Sequence, residues 1–315
     1  MESHVTYIKP VEKDLNRPLW SVVIPTYNCA NYLRYTLESV LSQDPGPEQM
    51  EIIVVDDCST KDDPEAIIKK HGNGRVKFIR QKQNVGKVRN YESGLQASRG
   101  YLVHQLHGDD MVREGFYEIM AHIFERHPQV GAAFCRSIYI DAANKWTGLT
   151  GMLKQEDGVI ENILDQLYVE QLIQTPSMVV KRNVYEKIGV FDRRLDCMED
   201  REMWIRIANH YEIAHTNQVL AMYRRHDNNA TNLTYLNGVA LDTFQRVNDI
   251  VDSYVDAQVK ARNSKRRKQK QADFWLLSYT YMRPRLNKKQ RLQYMKFILS
   301  KYPSIKAFYQ FIKAF

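Results

Sequence analysis

Four short stretches gather side chains able to do chemistry: Asp56-Asp57, His107-Gly-Asp-Asp110, Glu199-Asp200 and Tyr223-Arg-Arg-His-Asp227. Carboxylates bind hard divalent cations, accept hydrogen bonds from a heterocycle or take a proton as a general base, and arginines meet phosphate. Each stretch also has an ordinary structural use. Asp favours helix caps and turns, acids at a helix start suit the macrodipole, and Arg-Arg-His is a common surface cluster.

His107-Gly-Asp-Asp110 is the least ordinary of the four. A turn accounts for Gly108 and one Asp but gives little reason for a histidine and two acids together. A hard cation prefers oxygen ligands, and Mn2+ also tolerates imidazole. Asp109 is then the carboxylate ligand, Asp110 a supporting carboxylate, and Gly108 the residue that permits close backbone approach. The cation would bridge Asp109 and the two phosphates of a nucleotide sugar, neutralising charge on a departing diphosphate. At Asp56-Asp57, one carboxylate would accept the N3–H of a uracil ring while its neighbour supports the ribose or the loop. Lys87 or Arg89, after Asn84 and Gly86, would meet the diphosphate. Glu199-Asp200 reads either as a helix start or as a general base for an acceptor hydroxyl. If the chain returns to the sheet edge, His226 would complete the metal shell while Arg224 or Arg225 meets phosphate. Spacing leaves both readings of each pair open.

The elements that position these residues follow from apolar periodicity. Trp20-Ser-Val-Val-Ile-Pro25 reads as a strand, and Asn31 to Gln43 as a helix with Leu33, Leu37, Val40 and Leu41 at helical spacing. Further strands are expected at Glu51 to Asp56, Val76 to Ile79, Tyr101 to Leu106 and Val130 to Cys135. Helices are expected at Pro64 to His71, Val88 to Ser98 and Glu114 to His127. Continuously apolar strands alternating with helices indicate a parallel sheet covered on both faces, with ligands beyond the carboxyl ends of its strands. Pro25-Thr-Tyr-Asn28, Asp56-Asp57 and His107 to Asp110 fall at those ends.

The chain has 315 residues, 43% hydrophobic and 26% charged, which fits a folded α/β body with an appendage and excludes a disordered chain. No apolar run approaches the roughly 20 residues needed to cross a bilayer. The amino terminus lacks the basic start and apolar core of a secretory signal, so a cytoplasmic location is expected, with peripheral attachment to the inner face of the cell membrane as an option. Cys29, Cys58, Cys135 and Cys197 form no C-x-x-C pair and read as reduced filler. Net charge is +8, but residues 240–315 carry 17 Lys and Arg against 5 Asp and Glu. That asymmetry suits a basic appendage meeting anionic lipid or polyanions.

The motifs in their order resemble the family-2 inverting glycosyltransferases. The resemblance runs from Ser21 to about Asn232 through Ser21-Val-Val-Ile-Pro-Thr-Tyr-Asn28, Ile53-Val-Val-Asp-Asp-Cys-Ser59, Asn84-x-Gly86, Leu106-His-Gly-Asp-Asp110, Gly189-Val-Phe-Asp192, Glu199-Asp200 and Tyr223-Arg-Arg-His226. It implies a GT-A fold: a three-layer α/β/α sandwich with a mostly parallel central sheet, here with a C-terminal α-helical extension. The expected division is 1–19 extension, 20–236 transferase domain and 237–315 basic helical region. It further implies a nucleotide-sugar donor, usually UDP-linked, a saccharide or lipid-linked saccharide acceptor, and Mn2+ or Mg2+ at the D-x-D motif. Carried over by motif, Pro25, Thr26, Tyr27, Asn28, Asp56, Asp57, Asn84, Gly86, Lys87, His107, Gly108 and Arg224 would serve the donor. Asp109, Asp110 and His226 would hold the metal. Asp200 would be the base of an in-line displacement, with Glu199 as fallback.

Two departures from the family pattern stand out. His107 replaces the usual first Asp of D-x-D, as in a subgroup with L-H-x-D-D, and Tyr91-Glu92 stand where Arg-Asn are usual. The C-terminal quarter lies outside the resemblance. There Ile305, Phe308, Tyr309, Ile312 and Phe315 would share one helical face, suited to an anionic membrane or to packing on the body. Nucleic acid is not an expected partner, and the sequence sets no oligomeric state. Two competing readings are a sugar nucleotidyltransferase, which would ordinarily show a glycine-rich basic loop after its first strand, and a basic membrane- or polyanion-binding module with a degenerate donor site.

Overall fold

The structure, a computed structural model, describes residues 4–12, 16–226, 230–303 and 308. They form two compact units. The first comprises Met1–Glu161, Ile173–Arg194 and Arg206–Arg225, the second Asn162–Leu172, Leu195–Ile205 and His226–Phe315. The expected 20–236 body and 237–315 appendage are a linear division, whereas each unit here takes three separate stretches.

In chain order, the first unit begins with β1 (Trp20–Thr26), α1 (Ala30–Leu41), β2 (Met50–Asp56), α2 (Pro64–His71), β3 (Val76–Arg80), α3 (Lys87–Ala97) and β4 (Leu102–Gln105). It continues with β5 (Met111–Val112), α4 (Phe116–Arg126), β6 (Ala132–Ile140), β7 (Trp146–Leu149) and β8 (Gly158–Val159). After α5 (Ile163–Val169), which belongs to the second unit, come β9 (Met178–Lys181), α6 (Arg182–Ile188), α7 (Glu199–His210), of which Glu199–Ile205 belongs to the second unit, and β10 (Ile213–Arg224). Sheet order is β3-β2-β1-β4-β9-β6-β10-β5, with β7 on β6 and β8 on β10. By paired residues the sheet is mostly parallel: β1 runs with β2 and β4, β2 with β3, and β6 with β10. The strand β9 enters antiparallel between β4 and β6.

Both faces of the sheet are covered, as continuously buried strands require. On one face Val22, Ile24, Ile52 and Val54 share a core with Leu33, Leu37 and Val40 of α1 and with Phe116 and Met120 of α4. The intervening Val23 and Val55 meet α3, so closely that a Cβ on Gly94 would lie 2.3 Å from Val23 Cγ1. Only glycine permits that approach. The chain runs outward from β1 to β2 and β3, then returns to the other side of β1 with β4, which leaves a switch point at the carboxyl ends of β1 and β4.

The two longest strands depart from the sequence expectation. The strand expected at Val130 to Cys135 runs on to Ile140, and the long β10 has no counterpart in the periodicity reading. Its apolar pattern is interrupted at Thr216 to Gln218, where the register with β6 shifts, and Thr216 and Asn217 donate to the Asp157 carboxylate.

The second unit adds α8 (Ala230–Leu236), α9 (Val239–Tyr254), α10 (Ala257–Met282) and α11 (Lys288–Lys301). One face of α9 is apolar and buried, through Leu241, Phe244, Val247 and Val251. Phe244 packs with Trp275, Tyr279 and Tyr294 in an aromatic core. Asp256 caps α10, and Asn287 with Gln290 forms a capping box on α11. The proposed face from Ile305 to Phe315 lies, Phe308 apart, outside the described residues. Among the described residues no helix is long and apolar enough to cross a membrane.

Candidate active site

The loops after β1 and β2 hold each other by side chains on backbone. Asn28, at φ +50°, accepts the amides of Thr60 and Lys61 at 2.9 and 3.0 Å, and its own amide donates to Ser59 Oγ. Asp56 is fully buried and accepts from the Ser59 amide and hydroxyl, with Arg80 Nε 3.5 Å away. Asp57 accepts the amides of Val85 and Gly86 at 2.7 and 3.0 Å, tying the Asn84-x-Gly86 turn to the end of β2. Burial raises its carboxyl above the ordinary range, and the two amides offset part of that. Pro25 and Thr26 are buried, Asn84 is exposed and Lys87 is half-buried at the start of α3. Tyr27 stands 47% exposed at this edge, an open aromatic face.

The His107–Asp110 loop packs directly on these. Gly108 donates to the Pro25 carbonyl at 3.0 Å, and a Cβ there would lie 3.0 Å from Thr26 Oγ1 and 3.1 Å from Cys29 Sγ. From α1, Thr36 donates to the Asp110 carbonyl at 2.7 Å. One ligand atom from each of His107, Asp109 and Asp110 lies within 4.8 Å of the others. The Asp110 side chain is 1% exposed: Oδ1 accepts the Arg224 amide at 2.8 Å, while Oδ2 is buried with no hydrogen-bond partner among the described residues. Burial, and then the adjacent Asp109, push the Asp110 carboxyl well above the carboxylate range. A buried orphan oxygen beside a second acid is the donor set a divalent cation suits, since its charge relieves both the burial and the repulsion.

Arg224, expected to serve the donor, is 1% exposed and works on the loop itself. Its Nε donates to the Asp109 carbonyl at 2.7 Å, one terminal nitrogen donates to the Asp141 carbonyl at 3.0 Å, and the guanidinium lies 4.6 Å over Tyr32. Arg225 instead projects outward, 3.8 Å over the Tyr139 ring. Arg89 lies exposed on a groove of about 300 Å³ with Gln81, Ser93 and Arg193.

Four contributors escaped the sequence reading. Tyr91 stacks on His107, with centroids 5.3 Å apart and planes at 22°. Gln105 reaches His107 Nε2, Thr36 holds Asp110, and the Cys29 thiol sits against Thr26 with its pKa pushed up to about 12 by burial and by Asp109. The one available signal was at Tyr91-Glu92, where the sequence departs from the family pattern; Glu92 receives a bidentate contact from Arg193.

Glu199, Asp200 and His226 belong to the second unit. Glu199 is 4% exposed at the head of α7. Asp200 is half-buried, accepts from Gln171 Nε2 at 3.0 Å, and accepts the Arg201 amide at 2.8 Å.

Comparison with known proteins agrees with this fold. An uncharacterized glycosyltransferase of Methanocaldococcus jannaschii is 27% identical over 215 residues, 67% of this chain and 72% of that protein. S. aureus TarS 1-349 in complex with UDP-GlcNAc superposes with a TM-score of 0.65 at 17% identity, covering 94% of this chain and 81% of that one. A mannosyltransferase of Pyrobaculum calidifontis in complex with GDP-Man and Mn2+ gives 0.60 at 15% identity, covering 97% and 81%. At these identities the solved structures speak for the shared GT-A fold alone. The model of glycosyl transferase family 2 matches residues 21–189, more than half of the chain. The chain belongs to glycosyl transferase family 2.

Proposed function

We propose that the chain transfers a sugar, with inversion at the anomeric carbon, from a nucleotide sugar, UDP-linked by preference, to a hydroxyl of a saccharide or lipid-linked saccharide acceptor. The observation that carries this reading is the orphan carboxylate oxygen of Asp110 beside Asp109, on a loop packed against the carboxyl ends of β1 and β4. In this reading Asp109 and Asp110, on one loop of the first unit, hold Mn2+ or Mg2+. When bound, the cation would neutralise charge on the leaving diphosphate.

The chain's own residues supply the rest. Thr26, Tyr27 and Asp57 line the nucleobase site, with the open Tyr27 ring as a stacking face. Asp200 takes the proton of the acceptor hydroxyl as its oxygen bonds to the anomeric carbon and the bond to the diphosphate breaks. Its half-buried carboxylate suits a base better than the enclosed Glu199, which stays the fallback. The test is release of nucleotide from a panel of UDP-, GDP- and dTDP-sugars with Mn2+ and candidate acceptors. Pure folded protein that neither binds nor turns over any of them would overturn the reading.

Assembly of a bacterial surface polysaccharide or glycolipid is the setting we favour, with peripheral membrane attachment. On α10 the exposed Phe274, Leu277 and Tyr281 follow one helical line, continued by Arg266, Lys270 and Arg285. Apolar side chains between cations suit an anionic lipid surface. Cosedimentation with phosphatidylglycerol vesicles, weakened by Leu277→Asp, is expected; equal recovery without vesicles would remove this part.

A further inference from the structure

We propose that the acceptor is a saccharide chain bearing carboxylates, a uronic-acid glycan, and that the hairpin of β6 and β7 holds it, with Trp146 under a sugar ring and Arg113 on a carboxylate. The proposal rests on the reading that the chain transfers a sugar to a saccharide.

The hairpin presents a surface that asks for a cover. All four residues of β7 are exposed, Trp146 at 66% and Leu149 at 50%, and Met152 follows at 56%. Large apolar side chains grouped on a surface mark a contact. Trp20, Trp204 and Trp275 are at most 2% exposed, so Trp146 is the exception among the tryptophans. The strand that carries it is braced. Asp141 Oδ1 accepts the amides of Ala143 and Lys145 at 2.8 and 2.9 Å, and Thr147 donates to the Tyr139 carbonyl at 3.1 Å. Arg136 and the Ser137 amide donate to Thr150. A ring held out on a fixed strand is preorganised to stack.

The chemistry favours a charged sugar over a lipid surface. A pyranose has a face of C–H bonds that packs on the electron-rich face of an indole. Thr147 and Gly148 separate Trp146 from Leu149, so the apolar area is broken where a bilayer would want it continuous. Residues 136–154 carry Arg136, Lys145 and Lys154 against Asp141 alone, and the turn occupies Asp141 Oδ1. The Arg113 guanidinium carbon stands 5.7 Å from the centre of the Trp146 ring, a cation at the border of an open face. Its Nη1 donates to the Val219 carbonyl at 2.7 Å, which fixes the planar fork. The Nε and Nη2 edge, the one that takes a carboxylate by two parallel bonds, is left without a protein partner among the described residues. A carboxylate on the stacked sugar projects from the rim of its ring, toward a guanidinium so placed.

The hairpin also adjoins the candidate donor site. Trp146 pairs with Ile140, and Arg224 donates both to the carbonyl of the next residue, Asp141, and to the Asp109 carbonyl. One guanidinium therefore joins the hairpin turn to the loop proposed for the diphosphate, and a chain held on Trp146 lies beside the donor.

Acrylamide quenching of tryptophan emission from the full chain reads this directly, because Trp146 is the exposed one of four. Oligosaccharides of glucuronate, galacturonate and mannuronate are titrated in, each beside its carboxyl-reduced counterpart. The expected result is that a uronate chain shields Trp146, and that its affinity is about tenfold lower for the reduced counterpart and in Arg113→Gln. By calorimetry, Trp146→Ala should bind the same chain about fivefold more weakly. Uronates that leave Trp146 as accessible as before, in protein that still releases UDP from a UDP-sugar, overturn the proposal and leave the transferase reading standing. Shielding by a sugar-phosphate chain or by phosphatidylglycerol vesicles, with none by uronates, overturns it in favour of that ligand. Uronate shielding in protein that neither binds nor turns over a nucleotide sugar overturns the transferase reading and the acceptor role with it.

Discussion

At the carboxyl edge of the sheet, Asp57, Asn28 and Arg224 hold backbone, whereas a network across α9 and α10 of the helical unit joins side chain to side chain. At the edge, Asp57 takes the amides of Val85 and Gly86, Asn28 those of Thr60 and Lys61, and Arg224 the carbonyls of Asp109 and Asp141. In the helical unit, Arg267 donates to Tyr168, Asp252 and Asn248, Gln271 donates to Asn248, and Tyr302 donates to Gln271. The first pattern stiffens loops yet leaves donor atoms such as Asp110 Oδ2 for something that is not protein. The second ties α9 and α10 to each other side chain by side chain and serves stability. Substitutions in the two regions should therefore fail in different assays.

The largest effect separates chemistry from folding. Asp200→Asn should keep donor binding and melting temperature while transfer falls by about 10²- to 10⁴-fold, the range for a lost general base. Normal transfer by this variant would place the base elsewhere. Arg267→Met should do the reverse. Removing Arg267, whose ion-pair partner Asp252 is 40% exposed, costs about 2 kcal/mol, read in urea unfolding, with nucleotide affinity unchanged. An unfolding midpoint that does not move would show that the helical network is decorative.

His104 sharpens the contrast from inside the first unit, where one ring nitrogen meets backbone and the other a side chain. Its ring contacts the Pro176 carbonyl at 2.9 Å and the Tyr117 hydroxyl at 3.2 Å, and burial lowers its pKa to about 4. With the folded value below the unfolded one, its contribution is full above pH 6.5 and is lost as pH falls toward 4. The linkage amounts to at most about 3 kcal/mol. Unfolding measured at pH 7 and pH 4.5 should show this loss, reduced in His104→Asn; equal pH dependence in both proteins would count against it.

The sequence made the sheet edge legible because its information is local. Pro25 to Asn28, Asp56-Asp57 and His107 to Asp110 each follow directly on an apolar run, and parallel register then aligns the strand ends, as in the pairing of Thr26 with Asp56. What escaped depends on distant partners or broken patterns. The Tyr91–His107 stack and the grip of Arg224 on Asp109 join residues that no periodicity links. Arg267 and Tyr168 meet across 99 positions. The strand β10 hides behind its own register shift, and with it the buried role of Arg224, which in sequence looks like half of a surface Arg-Arg pair.

The central claim is that the His107–Asp110 loop binds a divalent cation through which the donor is held. Equilibrium titration of UDP into the full chain, with and without Mn2+, tests it most directly. The account predicts affinity at least about tenfold higher with the cation, and loss of that difference in Asp109→Ala without loss of stability, since Asp109 repels its neighbour Asp110. Equal UDP affinity with and without Mn2+, or a difference that survives Asp109→Ala, would contradict it.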